Sequence, residues 1–539
     1  MSDNLVSRRG FLKKTAMLGA GLAATGGIVA CSPAGATTAG EDIKWDKEVD
    51  VVVVGSGTVV MAALAAKDAG AESVLILEKN IAFGGTSALS GGIFWIPLNY
   101  PKKAEGFEDN REDAYKYVKK TSAGQSTDEL INTYIDNANS MLEWSRDKFG
   151  HKWVLGPQYL GDYFEVDGFR PLGRCVSLST PDGERTNGAG AWKIFRETVD
   201  GLGIEVMLET AGKELVTNAN GEVIGIKTEG IDGPLAIKAK KGVILGTGGF
   251  DFNREMTTAF LRGPIYVSNA VQTNTGDGHL MGMALGADLR NMNSCWGLPS
   301  MPLDKEKLLG EVDWFMYRGK PGAIVVNKYG ERIGNEASAY HVFNRAFWNW
   351  DTGKFEWRNT PSYFICDSSF TERYYLPGSG YQAGVIPDWM TQADTLEELC
   401  EKLGIDTEGF NATLEVFNPN AENGVDPLFH RGEYQFDLIS SGDATRTDLK
   451  NNCLAPISQG PFYGCEYVPG TCGTNGGLRI NANAQVIDVK GNPIPRLYAV
   501  GNTSGSVFGD SYPGGGGTLG AGGVFGMLAG RHAVSLESI

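Results

Sequence analysis

A tyrosine stands directly before a run of four glycines in the segment "SYPGGGGTLG", residues 511–520. Glycine has no Cβ and adopts positive φ at little cost, so this backbone can press against a flat ligand and expose its N–H groups to it. The phenol of Tyr512 adds a hydroxyl beside those amides. The residue types therefore predict a place where bare backbone and one phenol meet a flat molecule.

A second glycine turn follows the strand "VDVVVVGSG", residues 49–57. The unbroken β-branched run is typical of a parallel strand covered on both faces, and it ends on Gly55, Ser56 and Gly57. A helix follows, and the next strand ends on Glu78. Backbone N–H groups at such a turn hold a pyrophosphate, and the acid about twenty residues later binds a ribose hydroxyl. The pattern predicts a dinucleotide site.

Glycine clusters in four later parts of the chain extend this site. They lie in residues 83–97, 241–253 and 274–287 and in the segment that follows Arg496. A solvated loop would explain any one of them, but their joint order, each at the end of a β-run, favours a bound flavin. The further candidate cofactor residues are Lys79, Gly84, Gly85, Thr86, Ser87, Ser90, Gly91, Gly92, Thr247, Gly248, Gly249, Asp277, Gly501, Asn502, Thr518 and Leu519.

Composition limits the possible partners. The 539 residues are 42% hydrophobic, enough for a large core divided into two or more domains. A net charge of −16 repels phosphate backbones, so nucleic acid is excluded as a partner. Eight cysteines show no CxxC spacing, which argues against zinc, iron–sulfur clusters and c-type haem, and no metal site is predicted. Cys465 and Cys472 could pair in an oxidising compartment, but their spacing leaves this open.

The N-terminus reads as a twin-arginine export signal, with Arg8 and Arg9 in "SRRGFLK" before a weakly apolar stretch. That stretch is shorter than the ~20 residues of a membrane span, so no transmembrane span is predicted. The alternative is a buried N-terminal helix. Cleavage after Ala36 would leave a soluble periplasmic protein, which we favour, whereas a lipoprotein box ending on Cys31 would leave a lipid anchor there.

The order of these segments and the residues in them resemble the flavoprotein family of fumarate reductase and succinate dehydrogenase and, within it, the 3-ketosteroid dehydrogenases. The likeness covers roughly residues 48–535. It implies an α/β fold in which a Rossmann-type FAD-binding domain is interrupted by an α+β substrate-capping domain. The expected segments are a signal peptide at 1–36, FAD-binding parts at 46–298 and 452–539, and the capping domain at 299–451.

The resemblance also indicates how the cofactor is held and reoxidised. Family members that attach FAD covalently use a histidine just after the "GGT" turn, whereas Ser87 follows Thr86 here, so FAD is expected to bind non-covalently. No second strand-linked glycine fingerprint remains for a nicotinamide, so NAD(P)H is not expected as a direct partner. Electrons are therefore expected to pass through a separate carrier, such as a quinone or a cytochrome.

Three positions depart from the reductase branch of the family. That branch places arginines where this chain has Tyr340 and Tyr512, and its carboxylate-binding histidine falls in a segment that here holds Cys472 and Gly473. A dicarboxylate could not be neutralised by these residues. A small hydrophobic ketone is therefore the expected substrate.

The replacements look instead like the 3-ketosteroid 1-dehydrogenase pattern. By that resemblance, the Tyr512 hydroxyl and the Gly516 N–H bind the ketone oxygen, and Tyr340 removes a proton from the adjacent carbon as hydride leaves the next carbon for flavin N5. Tyr163 matches the supporting tyrosine, with Tyr159 as a competitor. Each of these tyrosines also has a plain reading as a packing residue.

The function this implies is the introduction or reduction of a carbon–carbon double bond adjacent to a ketone. The alternatives are a 3-ketosteroid 4-dehydrogenase, a periplasmic fumarate-type enoate reductase and a flavin-bearing electron carrier without turnover. Two local expectations concern secondary structure and packing. A helix begins near Glu336, and His341 could touch the site beside Tyr340, although a position on a helix surface is favoured. Trp296, Phe94 and Trp95 suit either a flat apolar substrate or the core.

Overall fold

The structure of the protein is a computed structural model that describes most of the chain. Residues 1–35 of the predicted signal peptide, which carry the twin arginines and Cys31, lie outside the described residues, and so does Tyr159. The described residues are 43–157, 162–170, 173–314 and 316–539, with the backbone of the short strand Ala36–Thr38.

The main sheet has nine strands, and its centre is formed by the buried apolar runs of the sequence. Lys47–Val54 pairs in parallel with Val74–Leu77 and with Gly233–Leu245. Its last six residues are buried, as a parallel strand covered on both faces requires. The predicted α/β fold is confirmed. Across the sheet the strands are Ala36–Thr38, Thr210–Thr217, Val223–Gly230, Gly233–Leu245, Lys47–Val54, Val74–Leu77 and Glu205–Met207, with Pro493–Ala499 beside Gly233–Leu245 and Gln485–Ile487 beside Pro493–Ala499.

Two helices rich in glycine and alanine, Val60–Asp68 and Gly517–Ser535, pack against each other next to this sheet. Their backbones approach closely at Gly530, where a Cβ would lie 2.3 Å from the carbonyl oxygen of Ala62. Glycine at this position is what allows the contact, because any side chain would push the helices apart. The second helix therefore holds the glycine run that precedes it in a fixed place.

A second, antiparallel sheet is formed mainly by the segment expected to be the capping domain. Its strand Phe462–Tyr467 lies beyond residue 451 and pairs with Ser362–Asp367, and Cys465 and Tyr467 are buried in the apolar core beside this sheet. The boundary at residue 451 stays a prediction. The sheet order is Ala323–Asn327, Ser362–Asp367, Phe462–Tyr467 and Thr391–Ala393, and the helices Leu396–Leu403 and Thr407–Glu422 supply the core residues on one face.

The helix expected near Glu336 begins at Tyr340 instead. The Asn335 side chain accepts a hydrogen bond from the Ala337 N–H at 2.9 Å, a local turn that competes with helix formation. The Glu336 carboxylate is buried and accepts from Arg332 Nε at 2.9 Å. Both bonds fix the segment before the helix, so that the helix starts with the tyrosine.

The remaining elements surround these two sheets. The other helices are Gly85–Leu89, Tyr100–Ala104, Arg111–Thr121, Asp128–Phe149, Gly188–Gly201, Arg254–Phe260, Asp277–Ala284 and Ser368–Arg373, with short helical turns at Tyr317–Gly319, Arg345–Trp348, Asp437–Ser441 and Gly501–Thr503. The other strands are Ile93–Trp95, Trp153–Leu155, Cys175–Leu178, Val267–Ser268, Leu289–Arg290, Cys295–Gly297, Ser300–Asp304, Leu309–Val312, Trp350–Asp351, Glu356–Trp357, Gly470–Thr474 and Gly477–Leu478.

No disulfide joins the cysteines of the described residues, and all of these cysteines but Cys472 are buried. Cys465 and Cys472 are therefore not joined by a disulfide. None of the described helices combines the length and the apolar character needed to cross a membrane. Within the same residues, no group of three potential ligands is placed to hold a metal ion.

Replacing Gly530 by valine is expected to lower the free energy of unfolding by about 1–3 kcal/mol, the usual effect of overpacking. The new side chain would collide with the Ala62 carbonyl. Thermal denaturation of the FAD-loaded protein, followed by circular dichroism, measures the change. Gly201→Ala, in the helix Gly188–Gly201 where a Cβ meets nothing within 4 Å, is the control and should not destabilise. Equal melting temperatures for both variants would contradict the helix contact.

Candidate active site

A cavity of about 520 Å³ opens where the parallel strands of the main sheet end. Its wall includes Val54, Leu77, Gly246 and Val500, each of which ends or directly follows one of those strands. Ligands of open α/β sheets bind outside the carboxyl ends of the strands, where loops and helix N-termini converge. The cavity continues from there to the segment 512–519.

The first glycine turn encloses the near end of the cavity. Gly55 has a φ of 106°, and a Cβ on it would lie 2.2 Å from the carbonyl oxygen of Gly246, so glycine is required for this approach. Ser56 donates to Glu78 Oε2 through its N–H at 3.0 Å and its hydroxyl at 2.5 Å. Burial raises the pKa of Glu78, and the bonds from Ser56 oppose that rise. The carboxyl group is thus fixed at the cavity wall, where it can accept a ribose hydroxyl.

Two helices begin at the cavity wall. Val60–Asp68 follows the first turn, Gly517–Ser535 follows the glycine run, and neither N-terminus is capped by a side chain. Their first amides and aligned peptide dipoles favour negative charge in the cavity. A pyrophosphate is a group of that kind.

Polar bonds between distant loops close the sides of the cavity. Thr86, in the short helix Gly85–Leu89, accepts a hydrogen bond at its Oγ1 from the Val271 N–H at 3.1 Å. Lys79 Nζ pairs with Asp277 Oδ2 at 2.9 Å. These bonds hold two distant stretches of the chain, residues 79–86 and 271–277, around one ligand-sized space.

Three predicted cofactor residues, Gly84, Gly92 and Gly249, are not among the residues that line this cavity, and their role in cofactor binding stays a prediction. Close packing against other residues explains why they are glycines. A Cβ would lie 2.8 Å from the Trp192 ring at Gly84, 2.6 Å from the Asn187 carbonyl carbon at Gly92 and 2.3 Å from Thr474 Oγ1 at Gly249.

The cavity walls fit FAD. They offer bare backbone, small hydroxyls, two helix N-termini and a fixed carboxyl group in the order that a dinucleotide requires. No histidine is among the described residues that line the cavity, and Ser87 lies in the wall. The predicted residues placed to hold the cofactor are Gly55, Ser56, Gly57, Glu78, Lys79, Gly85, Thr86, Ser87, Ser90, Gly91, Thr247, Gly248, Asp277, Gly501, Asn502, Thr518 and Leu519.

Tyr512 and Gly516 lie together in the cavity wall. The Gly516 N–H donates to Tyr512 Oη at 3.1 Å, so the amide that was expected to be free is engaged by the phenol oxygen. The Gly516 carbonyl accepts from the Trp95 N–H at 2.9 Å, and a Cβ on Gly516 would lie 2.5 Å from the carbonyl oxygen of Ile93. One ligand oxygen can accept from both groups only if the Gly516 N–H gives up its bond to Tyr512 Oη.

Tyr340 begins the helix Tyr340–Asn344 and lies beside Tyr512, with ring centroids 5.5 Å apart. Trp314 packs edge-on against Tyr340 at 5.7 Å. Burial raises the pKa of Tyr340 well above its usual value, and the neighbouring Tyr512 raises it further. The phenol of Tyr340 therefore carries its proton at neutral pH.

Tyr163, the third predicted tyrosine, lies near these phenols but does not line the cavity. Its ring packs on Phe436 at 5.4 Å. Burial raises the pKa of Tyr163, and the charge that Tyr512 would carry raises it further. The structure thus brings the three predicted tyrosines together.

His341 is buried, which corrects the expectation that it lies on a helix surface. Its Nδ1 accepts from the Gly297 N–H at 3.1 Å, and its ring centroid is 6.1 Å from that of Tyr512. Burial lowers the pKa of His341 to about 4, so the ring is neutral at pH 7. Trp296 packs edge-on against Tyr512 at 5.3 Å. Both rings support the phenol without bringing charge to it.

Among the described residues, no arginine side chain takes the place of Tyr340 or Tyr512 in the cavity wall. Lys79 and Arg185 line the cavity, and Lys79 is already paired. Arg345 is electrostatically close to Tyr163 but pairs with the Asp510 carboxylate at 3.4 Å. In the part of the chain that the structure describes, no arginine packs on or bonds to either cavity tyrosine.

Several wall residues were not predicted. Tyr381 lines the cavity although 75% of the residue is exposed, which places it at the mouth. Trp314 lies in an aromatic segment that is visible in the sequence, but nothing in its spacing distinguishes it. Phe94 and Trp95, in contrast, are core residues. The other unpredicted wall residues include Thr58, Leu89, Ile93, Arg185, Asn187, Thr210, Ala211, Gly212, Asn269, Val271, Thr273, Asn274 and Gly515.

Comparison with known proteins places this geometry in a family. Residues 50–519 match the family model described as "FAD binding domain". The chain is 34% identical to a 4-oxocyclohexanecarboxylate 2-dehydrogenase of Sinomonas cyclohexanicum, over 89% of this chain and 92% of that protein. It is 33% identical to a 3-oxosteroid 1-dehydrogenase of Mycolicibacterium smegmatis, over 90% of this chain and 96% of that protein.

A solved structure has a similar fold. The 3-ketosteroid Δ1-dehydrogenase of Sterolibacterium denitrificans, in complex with 1,4-androstadiene-3,17-dione, superimposes with a TM-score of 0.83 at 29% identity. The match covers 91% of this chain and 100% of that one. The protein belongs to the FAD binding domain family and is an FAD-dependent oxidoreductase. The predicted likeness to fumarate reductase flavoproteins and, within them, to 3-ketosteroid dehydrogenases is confirmed.

Replacing Glu78 by alanine is expected to weaken FAD binding about 10- to 100-fold, because hydrogen bonds to charged groups are worth about 1.5–3 kcal/mol. The change removes the acceptor of both Ser56 bonds and of a ribose hydroxyl. Titration of the apoprotein with FAD, followed by flavin fluorescence, measures the dissociation constant. Glu205→Ala, a half-exposed carboxylate paired with Lys47 on the same sheet, is the control and should bind FAD normally. Equal affinity in both variants would contradict the role of Glu78.

Proposed function

We propose that this protein interconverts a neutral cyclic ketone and its α,β-unsaturated counterpart, with a 3-ketosteroid-like substrate. The proposal rests on a pair of neutral groups beside the phenol of Tyr340: the Gly516 N–H, which donates to Tyr512 Oη at 3.1 Å, and the Tyr512 hydroxyl itself. A ketone oxygen that replaces Tyr512 Oη as the acceptor of the Gly516 N–H also comes within reach of the Tyr512 hydroxyl. A ketone oxygen accepts from such a pair. A substrate carboxylate bound beside Tyr512 and Gly516 would need a positively charged side chain as its partner.

In this reaction Tyr512 and Gly516 bind the ketone oxygen, and Tyr340 transfers the proton. Tyr512 and Gly516 hydrogen-bond the ketone oxygen and stabilise the enolate that forms when the adjacent carbon loses its proton; one such donor is typically worth about 3–4 kcal/mol. Tyr340 takes that proton in the dehydrogenation direction and returns it in the reduction direction. Bound FAD supplies hydride transfer at the next carbon. The donor pair has the same role in both directions, whereas Tyr340 acts as a base in one direction and as an acid in the other.

The walls support a flat apolar substrate. Trp296 and Trp314 pack around the two cavity phenols, and Tyr381 stands at the mouth. These rings offer a flat apolar contact surface that carries no charge. Such a surface favours a polycyclic ketone over a keto acid such as the one named for the Sinomonas relative. Desaturation at the 4,5 position and reduction of an unsaturated acid remain outcomes that the experiment below separates.

We also propose a periplasmic location, reached by the twin-arginine route, with electrons exchanged through a quinone or a cytochrome. The support is the "SRRGFLK" segment at the N-terminus and the lack of a second nucleotide fingerprint in the sequence. A soluble product and a lipoprotein anchored at Cys31 are both compatible with that segment. Fractionation of expressing cells, with mass measurement of the mature N-terminus, distinguishes them.

Anaerobic titration of the FAD-loaded protein tests the proposed function. 5α-Androstane-3,17-dione and 4-androstene-3,17-dione are compared with 4-oxocyclohexanecarboxylate, and the reduced protein is tested with fumarate. Bleaching of the flavin band by the steroid ketones, with a 1,2-double bond in the product, is the expected result. A 4,5-double bond would indicate the sister activity. Reaction with the keto acid or fumarate alone would overturn the proposal.

Tyr340→Phe is expected to lower turnover about 10²- to 10⁴-fold, the usual contribution of a general base. FAD content and ketone binding should be unchanged, because the ring still packs on Trp314. Stopped-flow measurement of flavin reduction gives the rate. Tyr498→Phe, which loses a bond to His532 away from the cavity, is the control with normal turnover expected. Normal turnover of the Tyr340 variant would exclude it as the base.

The dehydrogenation rate is expected to rise with pH, by about tenfold per pH unit between 7 and 9. Dehydrogenation requires the deprotonated phenol, and the raised pKa of Tyr340 makes this form scarce at neutral pH. Reduction of the enone requires the protonated phenol and should be independent of pH over the same range. Flavin reduction and reoxidation rates at each pH test both statements, and a dehydrogenation optimum near pH 7 would contradict them.

A further inference from the structure

The residue before Tyr163 is fixed by an unusually complete set of buried bonds. Asp162 Oδ1 accepts from Trp95 Nε1 at 2.9 Å, and its Oδ2 accepts from Arg174 Nη1 at 2.8 Å and from the Arg170 N–H at 3.1 Å. Asp162 and Arg174 are both fully buried. The loop that carries Tyr163 is therefore held at its start by three donors.

Tyr117 connects this loop to the ketone-binding turn. It lies in the helix Arg111–Thr121 and is fully buried. Its Oη accepts from the Tyr163 N–H at 2.8 Å and donates to the Pro513 carbonyl at 2.6 Å. One hydroxyl thus joins two segments that are far apart in sequence and that each carry a tyrosine of the site.

The chemistry of this link requires a neutral phenol. A single hydroxyl can donate once and accept twice, so Tyr117 can serve both partners only while it keeps its proton. Burial raises the pKa of Tyr117 well above its usual value, and the Asp162 charge adds to the rise. Trp95 stacks on its ring at 5.9 Å, and the Arg174 guanidinium lies 5.4 Å from the ring centroid. These two contacts fix the orientation of the Tyr117 ring.

We propose that Tyr117 is a positioning residue that sets the distance between Tyr163 and the Tyr512–Gly516 turn. The inference rests on the proposed function and adds a residue outside the cavity to it. Without the hydroxyl, the Tyr163 amide and the Pro513 carbonyl lose their shared partner, and the Tyr163 loop and the turn can separate. Small displacements of catalytic groups cost rate far more than they cost affinity.

Tyr117→Phe tests the proposal with steady-state kinetics on 4-androstene-3,17-dione. We expect kcat to fall about 10- to 100-fold while KM stays within about threefold and FAD content is normal. The double variant with Tyr163→Phe should be no slower than Tyr163→Phe alone, because Tyr117 acts through that phenol. Additive losses in the double variant, or a normal kcat in Tyr117→Phe, would overturn the proposal.

Tyr498→Phe is the matched control. Tyr498 is also fully buried and bonds through its hydroxyl to His532 Nδ1 at 2.8 Å, but it bonds to neither Tyr163 nor Pro513. It should lose as much thermal stability as Tyr117→Phe and keep its kcat. An equal fall of kcat in both variants would show a general packing effect and reject positioning. A wild-type protein that turns over no ketone would reject the proposed function itself, whereas turnover unaffected in Tyr117→Phe rejects only this inference.

Discussion

The site depends on one close approach, that of the glycine run to the strand Ile93–Trp95. A Cβ on Gly516 would lie 2.5 Å from the Ile93 carbonyl oxygen, and the Gly516 carbonyl is bonded to the Trp95 N–H. Gly516 also has a φ of 93°, a conformation that favours glycine. Only a bare backbone can therefore aim its amide at the Tyr512 hydroxyl. The position of the donor pair, and with it the chemistry, follows from this contact.

The second constraint is that the site buries its phenols and the neighbouring histidine in neutral form. The phenols of Tyr163, Tyr340 and Tyr512 all have pKa values raised by burial, and His341 beside them is kept neutral. In a low-dielectric site, neutral donors stabilise an enolate oxygen without holding a substrate anion. A carboxylate would lose its hydration and gain no cation in return. In the proposed function, the same phenols therefore select for a ketone and against an acid.

The sequence predicts the parts of this protein that depend on backbone chemistry. The strand and turn at Gly55–Gly57, the acid at Glu78 and the run after Tyr512 are local patterns, and the structure places each of them in the cavity wall. Gly84, Gly92 and Gly249 show what such patterns cannot decide. A glycine needed for packing looks the same in a sequence as one that faces a ligand.

Long-range contacts were beyond prediction from one sequence. Tyr381 and Trp314 reach the cavity through the fold of the capping domain, and Tyr117 reaches Pro513 across 396 positions of sequence. His341 accepts from the Gly297 N–H, which is 44 positions away in sequence. No local spacing records such contacts. The late start of the Tyr340 helix is a different case, because the Asn335 turn that precedes it is local.

The most direct test of the central claim is the infrared spectrum of a bound ketone. Difference spectra of 1,4-androstadiene-3,17-dione with ¹³C at the 3-carbonyl report the strength of the hydrogen bonds to that oxygen. We expect a carbonyl band at lower wavenumber in the complex than in water, and a partial return toward the water value in Tyr512→Phe. A band that is the same in water, in the wild-type complex and in the variant would show that the phenol and the amide do not receive the ketone.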